Sequence, residues 1–490
     1  GFSGLGTAVK FKQHGRSDFV LFEQADDVGG TWRDNTYPGI ACDVPSNLYS
    51  FSFALNPNWS NSYSPGGEIW DYLRDVARRF DILRHVRFNH QIKRAEWNDD
   101  AQHWRLQTSE GEYTADVVIS ALGPLSVPMI PDLPGIDSFK GETFHSQQWD
   151  HDFDFEGKRV AVVGTGASAI QFVPRIQPEV SELHLYQRTP PWVLPRSDRK
   201  ISRFEHLLFK YVPFTQKLVR AMVYALLEIR VIGFIQAQWV MRPVERLARA
   251  HIRRQVRDPE LRKKLTPDYK IGCKRILLAN DYYSSLTQPN VELIASGVRE
   301  VRERSVVGSD GTEREVDAIV WGTGFHVTTN PAWDHLIGRD GRSLGETWGD
   351  GGLRAYKGTL VENFPNMFFM MGPNTGLGHN SMVYMIESNI DLVDEVIRFI
   401  DRSRAGSVEI SKQALDIWNE RIQREGHDTV WTTGGCASWY LDAHGRNTTL
   451  WPSFTFKYRQ ACHDFDPTEL IVRDSDGALM LPRSVSAAVA

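Results

Sequence analysis

The 490-residue chain is long enough for two or three domains, each with its own core. Its 41% apolar and 24% charged residues are typical of a globular protein, and the net charge of −5 with a pI near 6.3 gives no support to nucleic-acid binding. Small molecules are therefore the expected ligands.

The chain opens on a glycine turn, GFSGLG. Gly1 and Gly4 fit the second and third glycines of a dinucleotide-binding turn, which lets the backbone approach a pyrophosphate at a helix N-terminus. A helical stretch and the apolar segment DFVLFEQ follow, and Glu23 stands where an acid binds ribose hydroxyls. The alternative is a glycine turn of another kind with a surface glutamate.

A loop, a helix and several strands are expected next. Residues 29–51 are rich in glycine, proline and aromatic residues without periodicity, which predicts a loop that presents side chains to a ligand. Residues 68–80 read as a helix. Strands are expected around 86–93, 103–108 and 113–121.

Residues Phe139 to Trp149, FKGETFHSQQW, have the spacing FxGxxxHxxxW, with Gly141 and His145 between the two aromatic ends. This spacing fits neither a helix nor a strand period. It indicates a linker between the first glycine turn and a second one.

The second glycine turn is complete and follows the apolar strand RVAVVG. Gly164, Gly166 and Ala169 occupy its fixed positions, and the next strand, LHLYQR, ends at Arg188 and Thr189 instead of an acid. Because a guanidinium binds phosphate, NADPH is favoured over NADH. The alternative is that Arg188 is only a solvated strand-end cation.

An insertion of apolar and arginine-rich helices is expected at about 198–265, before strand-like segments at 291–294 and 317–325. Glu228 and Arg230 interrupt its apolar run, which argues against a membrane span. A helical subdomain that covers the cofactor cleft is favoured. Peripheral attachment to an anionic membrane surface stays open, since apolar and basic faces occur together.

The cysteine spacing and the start of the chain both indicate the cellular compartment of the protein. Cys42, Cys273, Cys436 and Cys462 stand far apart, which favours a reducing compartment and argues against a reactive dithiol or a metal site. No signal peptide is visible. We expect a cytoplasmic protein.

Three motifs together resemble the flavin-dependent Baeyer-Villiger monooxygenases, class B flavoproteins of the flavin-containing monooxygenase superfamily. They are FKGETFHSQQW, the GGxWxxxxYPGxxxD pattern at 29–43, and IGCKRILLANDYY with Lys274 and Arg275. The resemblance implies an α/β fold with two Rossmann-like domains: an FAD domain at 1–153 and 325–490, and an NADP domain with its helical insertion at 154–324.

The resemblance also implies the activity: NADPH- and O₂-dependent conversion of a ketone to an ester or lactone through a C4a-peroxyflavin. Trp149, where N- and S-oxygenating relatives usually have tyrosine, favours ketones. The alternatives are an N- or S-oxygenating enzyme, a pyridine nucleotide reductase and a non-oxygenating NADPH- or flavin-binding protein. No apolar strand precedes the first turn in this sequence, so either the sequence is a fragment or the strand has been lost; if the working protein lacks it, we expect weak flavin retention.

By the same resemblance, site residues can be assigned. For FAD they are Gly1, Gly4, Glu23, Thr31, Trp32, Arg33, Asp34, Asp43, Tyr49 and Ile92. For NADPH they are Ala41, Cys42, Asp43, Gly164, Thr165, Gly166, Ala167, Ser168, Ala169, Gln171, Arg188, Thr189, Lys274 and Arg275.

The catalytic roles are expected to fall on a charged pair. Arg275 would stabilise developing negative charge without proton transfer, and Asp43 would position it. Lys274 would meet the 2′-phosphate on the opposite side of the backbone, and His145 would couple linker motion to NADPH binding. The alternative is that Lys274 and Arg275 are a solvated surface pair.

The substrate end of the site is less specified. Residues 372–381 are expected beside flavin and substrate. Trp431, Trp439, Tyr440 and Trp451 either wall an apolar pocket or serve the core.

Overall fold

A computed structural model describes residues 1–480, except for the side chain of Asp350. The strands are β1 (Leu21–Phe22), β2 (Val86–Arg87), β3 (Ile92–Asn98), β4 (His103–Thr108), β5 (Gly111–Ala115), β6 (Val118–Ser120), β7 (Glu142–His145), β8 (Arg159–Val163), β9 (Glu182–Tyr186), β10 (Val193–Leu194), β11 (Leu277–Leu278), β12 (Val291–Ile294), β13 (Val298–Arg302), β14 (Ser305–Gly308), β15 (Glu313–Glu315), β16 (Ala318–Trp321), β17 (Leu336–Ile337), β18 (Met367–Phe369), β19 (Ser407–Ile410) and β20 (Leu470–Arg473).

The α-helices are α1 (Phe2–Gln13), α2 (Thr31–Asp34), α3 (Gly66–Arg79), α4 (Ala169–Ile176), α5 (Arg203–Tyr211), α6 (Pro213–Glu228), α7 (Val231–Ile235), α8 (Arg242–Gln255), α9 (Pro259–Leu265), α10 (Tyr282–Ser285), α11 (Leu344–Gly351), α12 (Met382–Ser403), α13 (Lys412–Gly426), α14 (Val430–Thr433) and α15 (Thr455–His463). Short 3₁₀ helices are Leu83–His85, Ile136–Ser138, Ser146–Gln148, Gln238–Met241, Pro331–His335 and Pro467–Glu469.

The middle of the chain forms a parallel sheet in the order β12-β9-β8-β16-β7. Its central strands β8 and β16 are continuous apolar runs and almost fully buried, because α4, α8 and α10 pack on one face of the sheet and the β13-β14-β15 meander packs on the other. The turn after β8 needs glycine: Gly164 has φ +107°, and a Cβ there would lie 2.4 Å from the Gly322 carbonyl oxygen.

The two ends of the described chain pack on each other. Helix α12 crosses α1 so closely that a Cβ on Gly6 would lie 2.6 Å from Ile390 Cδ1. Parallel pairs β1-β2 and β6-β18 flank α1, and the antiparallel β3-β4-β5 meander carries β17 at its edge.

Several predicted elements have shifted or shorter bounds. The helix expected at 68–80 is α3, and the insertion at 198–265 holds α5 to α9. The strand expected at 86–93 is instead split into β2 and the start of β3, with a left-handed residue, Asn89 (φ 57°), between them. The segment expected as a strand at 113–121 is likewise split into β5 and β6.

The cysteines differ from the expectation of reduced, separate thiols. Cys273 and Cys436 form a disulfide across 163 residues, while Cys42 and Cys462 are free and buried. The loop after α14 packs on the segment before Lys274, where the Lys270 amide donates to the Gly434 carbonyl. Spacing along the chain cannot reveal a pair that only tertiary packing brings together.

No helix within residues 1–480 is both long enough and apolar enough to cross a bilayer.

Candidate active site

The first nucleotide turn has the close backbone approach that a pyrophosphate site needs. Gly1 opens α1 and lies against the glycine pair that opens the loop at 29–51: a Cβ on Gly30 would lie 3.1 Å from Gly1 Cα. Gly29 and Gly30 have φ +140° and +56°. A Cβ on Gly4 would lie 3.7 Å from Leu21, an ordinary van der Waals distance, so the packing of α1 on β1 does not itself require glycine there. This backbone-only cradle fits FAD.

Charged residues surround this cradle. Glu23 accepts a hydrogen bond from the Ala25 amide and an ion pair from Arg33 Nη1 at 3.0 Å. Arg33 also donates to Asp34 Oδ1 at 2.7 Å. Although burial alone would lower the pKa of Arg33, the two carboxylates raise it above its ordinary value. Thr31 begins the short helix α2, which carries Arg33 and Asp34.

Two other predicted FAD residues lie near this group. Trp32 Nε1 donates to the Tyr49 hydroxyl at 3.2 Å, and Tyr49 packs edge-on against Phe2 at the start of α1. Burial raises the pKa of Tyr49 far above its ordinary value. Ile92 begins β3 two residues after His90, whose amide donates to the Glu23 carbonyl.

The second turn gathers predicted NADPH residues at the N-terminus of α4. Gly166 and Ala167 are exposed there, Ser168 is the N-cap and Ala169 the first helical residue. Thr165 Oγ1 donates to the Thr189 carbonyl at 3.3 Å, which ties the turn to the end of β9.

Gln171 links this turn to the loop at 29–51. Its Nε2 donates to the Ala41 carbonyl at 3.0 Å, and its Oε1 accepts from the Ala41 amide at 3.3 Å and from the Tyr37 hydroxyl. Cys42 follows Ala41, and its thiol is buried. The Cys42 carbonyl accepts a hydrogen bond from Arg196 Nη2. Arg196 was not anticipated because nothing in its local sequence marks it.

Beyond the turn lies a cavity of about 830 Å³ with a strongly basic wall. Arg188 and Thr189 line it beside several cations from α8 and α9. Lys274 Nζ lies 5.4 Å from the ring centre of Tyr269, another lining residue. Burial, and then the charge of Arg188, lower the pKa of Lys274.

Neither Arg188 nor Lys274 forms an ion pair with any carboxylate in the described part of the chain. Two neighbouring cations without an ion-pair partner fit a phosphate dianion, as the 2′-phosphate of NADPH would require. The cations that α8 and α9 add to this wall were not anticipated from the sequence, because helical arginines usually point to solvent. These are Arg249, Arg253, Arg262, Lys263 and Lys264.

Asp43 and Arg275 form a bidentate ion pair. Nε donates to Oδ2 and Nη2 to Oδ1, both at 2.6 Å, while Nη1 makes only a 3.4 Å contact with the Leu377 carbonyl. The Arg275 side chain remains 35% exposed and that of Asp43 25%. The pair is therefore held rigidly, with guanidinium N–H groups left to meet a ligand.

The electrostatics of this pair keep both groups charged. Burial alone would raise the pKa of Asp43, but the charge and hydrogen bonds of Arg275 hold it below its ordinary value. The Asp43 carboxylate in turn raises the pKa of Arg275, against the effect of burial. Tyr440 lies next to Arg275, and burial raises the pKa of its hydroxyl.

Lys274 and Arg275 are not a solvated surface pair. Lys274 lies near Arg188, and Arg275 contacts Asp43.

The segment 372–381 reaches this pair through Leu377. The Gly376 amide donates to the Thr449 carbonyl, and Gly378 lies against Trp431, whose Nε1 is buried with no hydrogen-bond partner among the described residues.

The four aromatic residues proposed for a substrate wall do not converge. Trp431 and Tyr440 belong to one buried cluster, Trp451 stacks on Trp418 in another core, and Trp439 is exposed.

The side chains of Trp149 and His145 in the linker fingerprint pack inside the protein. Trp149 is buried against Phe144, Phe155 and Phe172. His145 ends β7, accepts from the Gln147 amide at Nδ1 and packs on Phe325. Burial lowers the pKa of His145 to about 4, partly offset by the backbone of Gly324, so the ring is neutral near pH 7.

The other two fingerprint residues lie in the chain that approaches β7. A Cβ on Gly141 would lie 2.2 Å from the Asp317 carbonyl oxygen and 2.7 Å from the Phe139 ring.

Comparison with known proteins agrees with this geometry. The family model of flavin-binding monooxygenase-like proteins matches residues 1–337. Proteins named Baeyer-Villiger monooxygenase from Streptomyces coelicolor and Pseudomonas aeruginosa are each 50% identical; the alignments cover 96% and 95% of this chain and 90% and 89% of theirs.

Solved structures are similar over nearly the whole chain. Cyclohexanone monooxygenase from Rhodococcus sp. Phi1 bound to NADP⁺ has a TM-score of 0.85 at 28% identity, covering 97% of this chain and 98% of its own. Steroid monooxygenase bound to NADP has a TM-score of 0.84 at 29% identity with the same coverage.

These matches confirm the predicted α/β fold and the expected cofactors, FAD and NADPH. The chain belongs to the flavin-binding monooxygenase-like family and is, within it, a Baeyer-Villiger monooxygenase that converts ketones to esters or lactones with NADPH and O₂.

Proposed function

We propose that Arg275, held by Asp43, supplies the main electrostatic stabilisation for oxygen transfer to an apolar ketone. The observation that carries this proposal is the bidentate pair, which fixes the guanidinium and leaves part of it exposed. Overall, ketone, O₂, NADPH and a proton yield ester, NADP⁺ and water. When bound, FAD would supply the redox chemistry that connects NADPH to O₂.

The role of Arg275 follows from its permanent charge. Negative charge develops on oxygen atoms during the transfer, and a positioned guanidinium stabilises it without giving up a proton. The free N–H groups at Nη1 and Nη2 point away from the Asp43 carboxylate, so they can donate to such oxygens. Asp43 is a positioning residue that keeps this orientation.

NADPH would bind at the second glycine turn. Its 2′-phosphate is assigned to Arg188 and Lys274, and its pyrophosphate to the turn from Gly164 to Ala169 at the start of α4. The Gln171–Ala41 hydrogen bonds hold the loop at 29–51 against that turn, so the dinucleotide is directed toward the Asp43–Arg275 pair. FAD would occupy the cradle formed by Gly1 and Gly30, with Glu23 on its ribose.

The substrate proposal rests on the buried cluster beside Arg275. Phe234, Trp431, Tyr440 and Leu450 pack together there. Such surroundings favour a ketone whose carbonyl is its main polar group, because an added charge would have to be desolvated.

Product analysis tests the activity and its substrate class. The flavin-loaded enzyme is offered apolar ketones, a carboxylated ketone analogue and a thioether, and the products are identified by mass. We expect esters or lactones from the apolar ketones and much lower turnover of the carboxylated analogue. Sulfoxide formation without ester formation would instead support an N- or S-oxygenating enzyme.

Asp43→Asn tests the positioning role. An amide offers one acceptor oxygen where the carboxylate offers two, so the guanidinium loses its bidentate support. We expect the yield of ester per NADPH to fall about tenfold while NADPH oxidation continues as hydrogen peroxide production. An unchanged ester yield would contradict the role.

A further inference from the structure

Helix α6 turns a row of large apolar side chains outward. Phe214, Leu218, Met222 and Leu226 are 70%, 53%, 56% and 64% exposed. A helix on a water-facing surface normally turns such residues inward. Their exposure therefore needs an explanation.

The side of α6 that faces the protein combines apolar packing with hydrogen bonds from polar side chains; its apolar residues are Val219, Val223, Tyr224 and Leu227. Gln216 Nε2 donates to Asn47 Oδ1 at 2.9 Å and to the Asn56 carbonyl at 2.7 Å. Arg220 Nη1 donates to three carbonyls of the segment 47–50, at 2.9 to 3.1 Å. The helix is thus fixed to the protein through these contacts, and this orientation leaves the row from Phe214 to Leu226 on the outside.

Glu228 completes this attachment at the far end of the helix. Its Oε1 accepts from the Thr455 amide, and its Oε2 accepts from Asn380 Nδ2 at 2.6 Å. Asn380 belongs to the segment 372–381, which reaches Arg275 through Leu377. Rotating α6 to bury its outward apolar row would break these buried hydrogen bonds.

The exposed apolar residues extend beyond α6. Of the 23 large apolar side chains that are exposed within residues 1–480, twelve fall in the segment 204–247. We call these twelve the insertion face: Phe204, Leu207, Tyr211, Val212, Phe214, Leu218, Met222, Leu226, Ile229, Trp239, Val240 and Leu247. Such a concentration marks an interaction surface.

The charges around the insertion face have one sign. Residues 203–257 hold nine exposed cations, and none of their three acids is exposed. Glu205 pairs with Arg199, Glu245 pairs with Arg249, and Glu228 is buried. This local excess of positive charge contrasts with the net charge of −5 of the whole chain.

The cations also stand where a bilayer would favour them. At about 100° per residue, Lys217 lies roughly 120° from the centre of the apolar sector of α6, and Arg230 follows the end of that helix at Glu228. Long cationic side chains at the edges of an apolar sector can reach lipid phosphates while the sector enters the acyl boundary.

From this geometry we propose that the insertion face docks on an anionic phospholipid bilayer. Charge decides between a bilayer and a second copy of the chain, since a two-fold contact would bring the cations of both copies together. Docking would place the lipid surface against the helix that binds residues 47–50, which include Tyr49.

Vesicle flotation with the flavin-loaded enzyme tests this proposal. We expect the protein to float with phosphatidylcholine vesicles that contain phosphatidylglycerol and to float far less with phosphatidylcholine alone. Combining Phe214→Ser, Leu218→Ser and Met222→Ser should weaken binding to the anionic vesicles by at least about tenfold. Combining Lys217→Gln and Arg230→Gln should weaken it roughly tenfold and reduce its dependence on salt.

A matched control carries three serines at exposed apolar positions outside the insertion face: Val20→Ser, Ile417→Ser and Leu479→Ser. The control should bind vesicles like the unmodified protein, and both triple variants should retain flavin content and oxidation of a water-soluble ketone. Absence of flotation with anionic vesicles, or equal loss in the control, would overturn the proposal. A dimer in solution that the face variant dissociates would overturn it in favour of self-association.

Discussion

Replacing either cation of the proposed 2′-phosphate site should weaken NADPH binding much more than NADH binding. A hydrogen bond to a charged group contributes about 1.5–3 kcal/mol, which corresponds to roughly 10- to 150-fold in affinity. Lys274 is half-buried and Arg188 exposed, so solvent screens the second more strongly. We therefore expect Lys274→Met to raise KM for NADPH toward the upper end of that range and Arg188→Met toward the lower end.

The assay is ketone-dependent oxidation of NADPH and of NADH over a range of concentrations. Lys412→Met is the matched control, because it removes a positive charge at an exposed site on α13 where Lys412 pairs with Asp416. It should leave both KM values unchanged. Because Arg188 and Lys274 share one phosphate, the double variant should lose less than the product of the two single effects. Equal losses for NADPH and NADH would refute the assignment.

Three further results are expected. His145→Gln should remove a pH dependence of the free energy of unfolding. The folded-state pKa of His145 is about 4, below its unfolded value, so the stability linked to its titration is complete above about pH 6.5 and is lost as pH falls toward 4. Denaturant titrations should show this loss, up to about 3 kcal/mol, in the unmodified protein and not in the variant. Gly164→Ala should lower thermal stability and raise KM for NADPH, because residue 164 has φ +107° and the added Cβ would clash with the Gly322 carbonyl. An unchanged melting temperature together with an unchanged KM would contradict this. Cys273→Ser should lower the unfolding midpoint by freeing the loop closed with Cys436, with a chain-entropy upper limit of about 5 kcal/mol, and an unchanged midpoint would show that the bridge is not formed.

Sequence patterns predicted the parts of the fold that have strong local signals. The second glycine turn, with its apolar strand and the helix after it, is present because glycine spacing and hydrophobic runs act locally. Motif resemblance also anticipated the pairing of Asp43 with Arg275, which are 232 residues apart. Composition alone could not have shown that contact.

What the sequence did not reveal depends on tertiary packing. The Cys273–Cys436 bridge requires two distant loops to meet, and the basic wall of the cavity requires α8 and α9 to face Arg188. Helix α6 was expected within a helical insertion, but its orientation is decided by what Arg220 binds on the protein side. An apolar run looks the same in sequence whether it faces the core or the outside.

The most direct test of the account is the ratio of ester formed to NADPH consumed by Arg275→Ala. The guanidinium is assigned to oxygen transfer and not to the binding of the 2′-phosphate, so NADPH should still be oxidised and O₂ should appear as hydrogen peroxide. We predict that the ratio falls close to zero, with partial recovery in Arg275→Lys, which restores the charge but not the bidentate contact with Asp43. An ester yield per NADPH equal to that of the unmodified enzyme would contradict the central role given to Arg275.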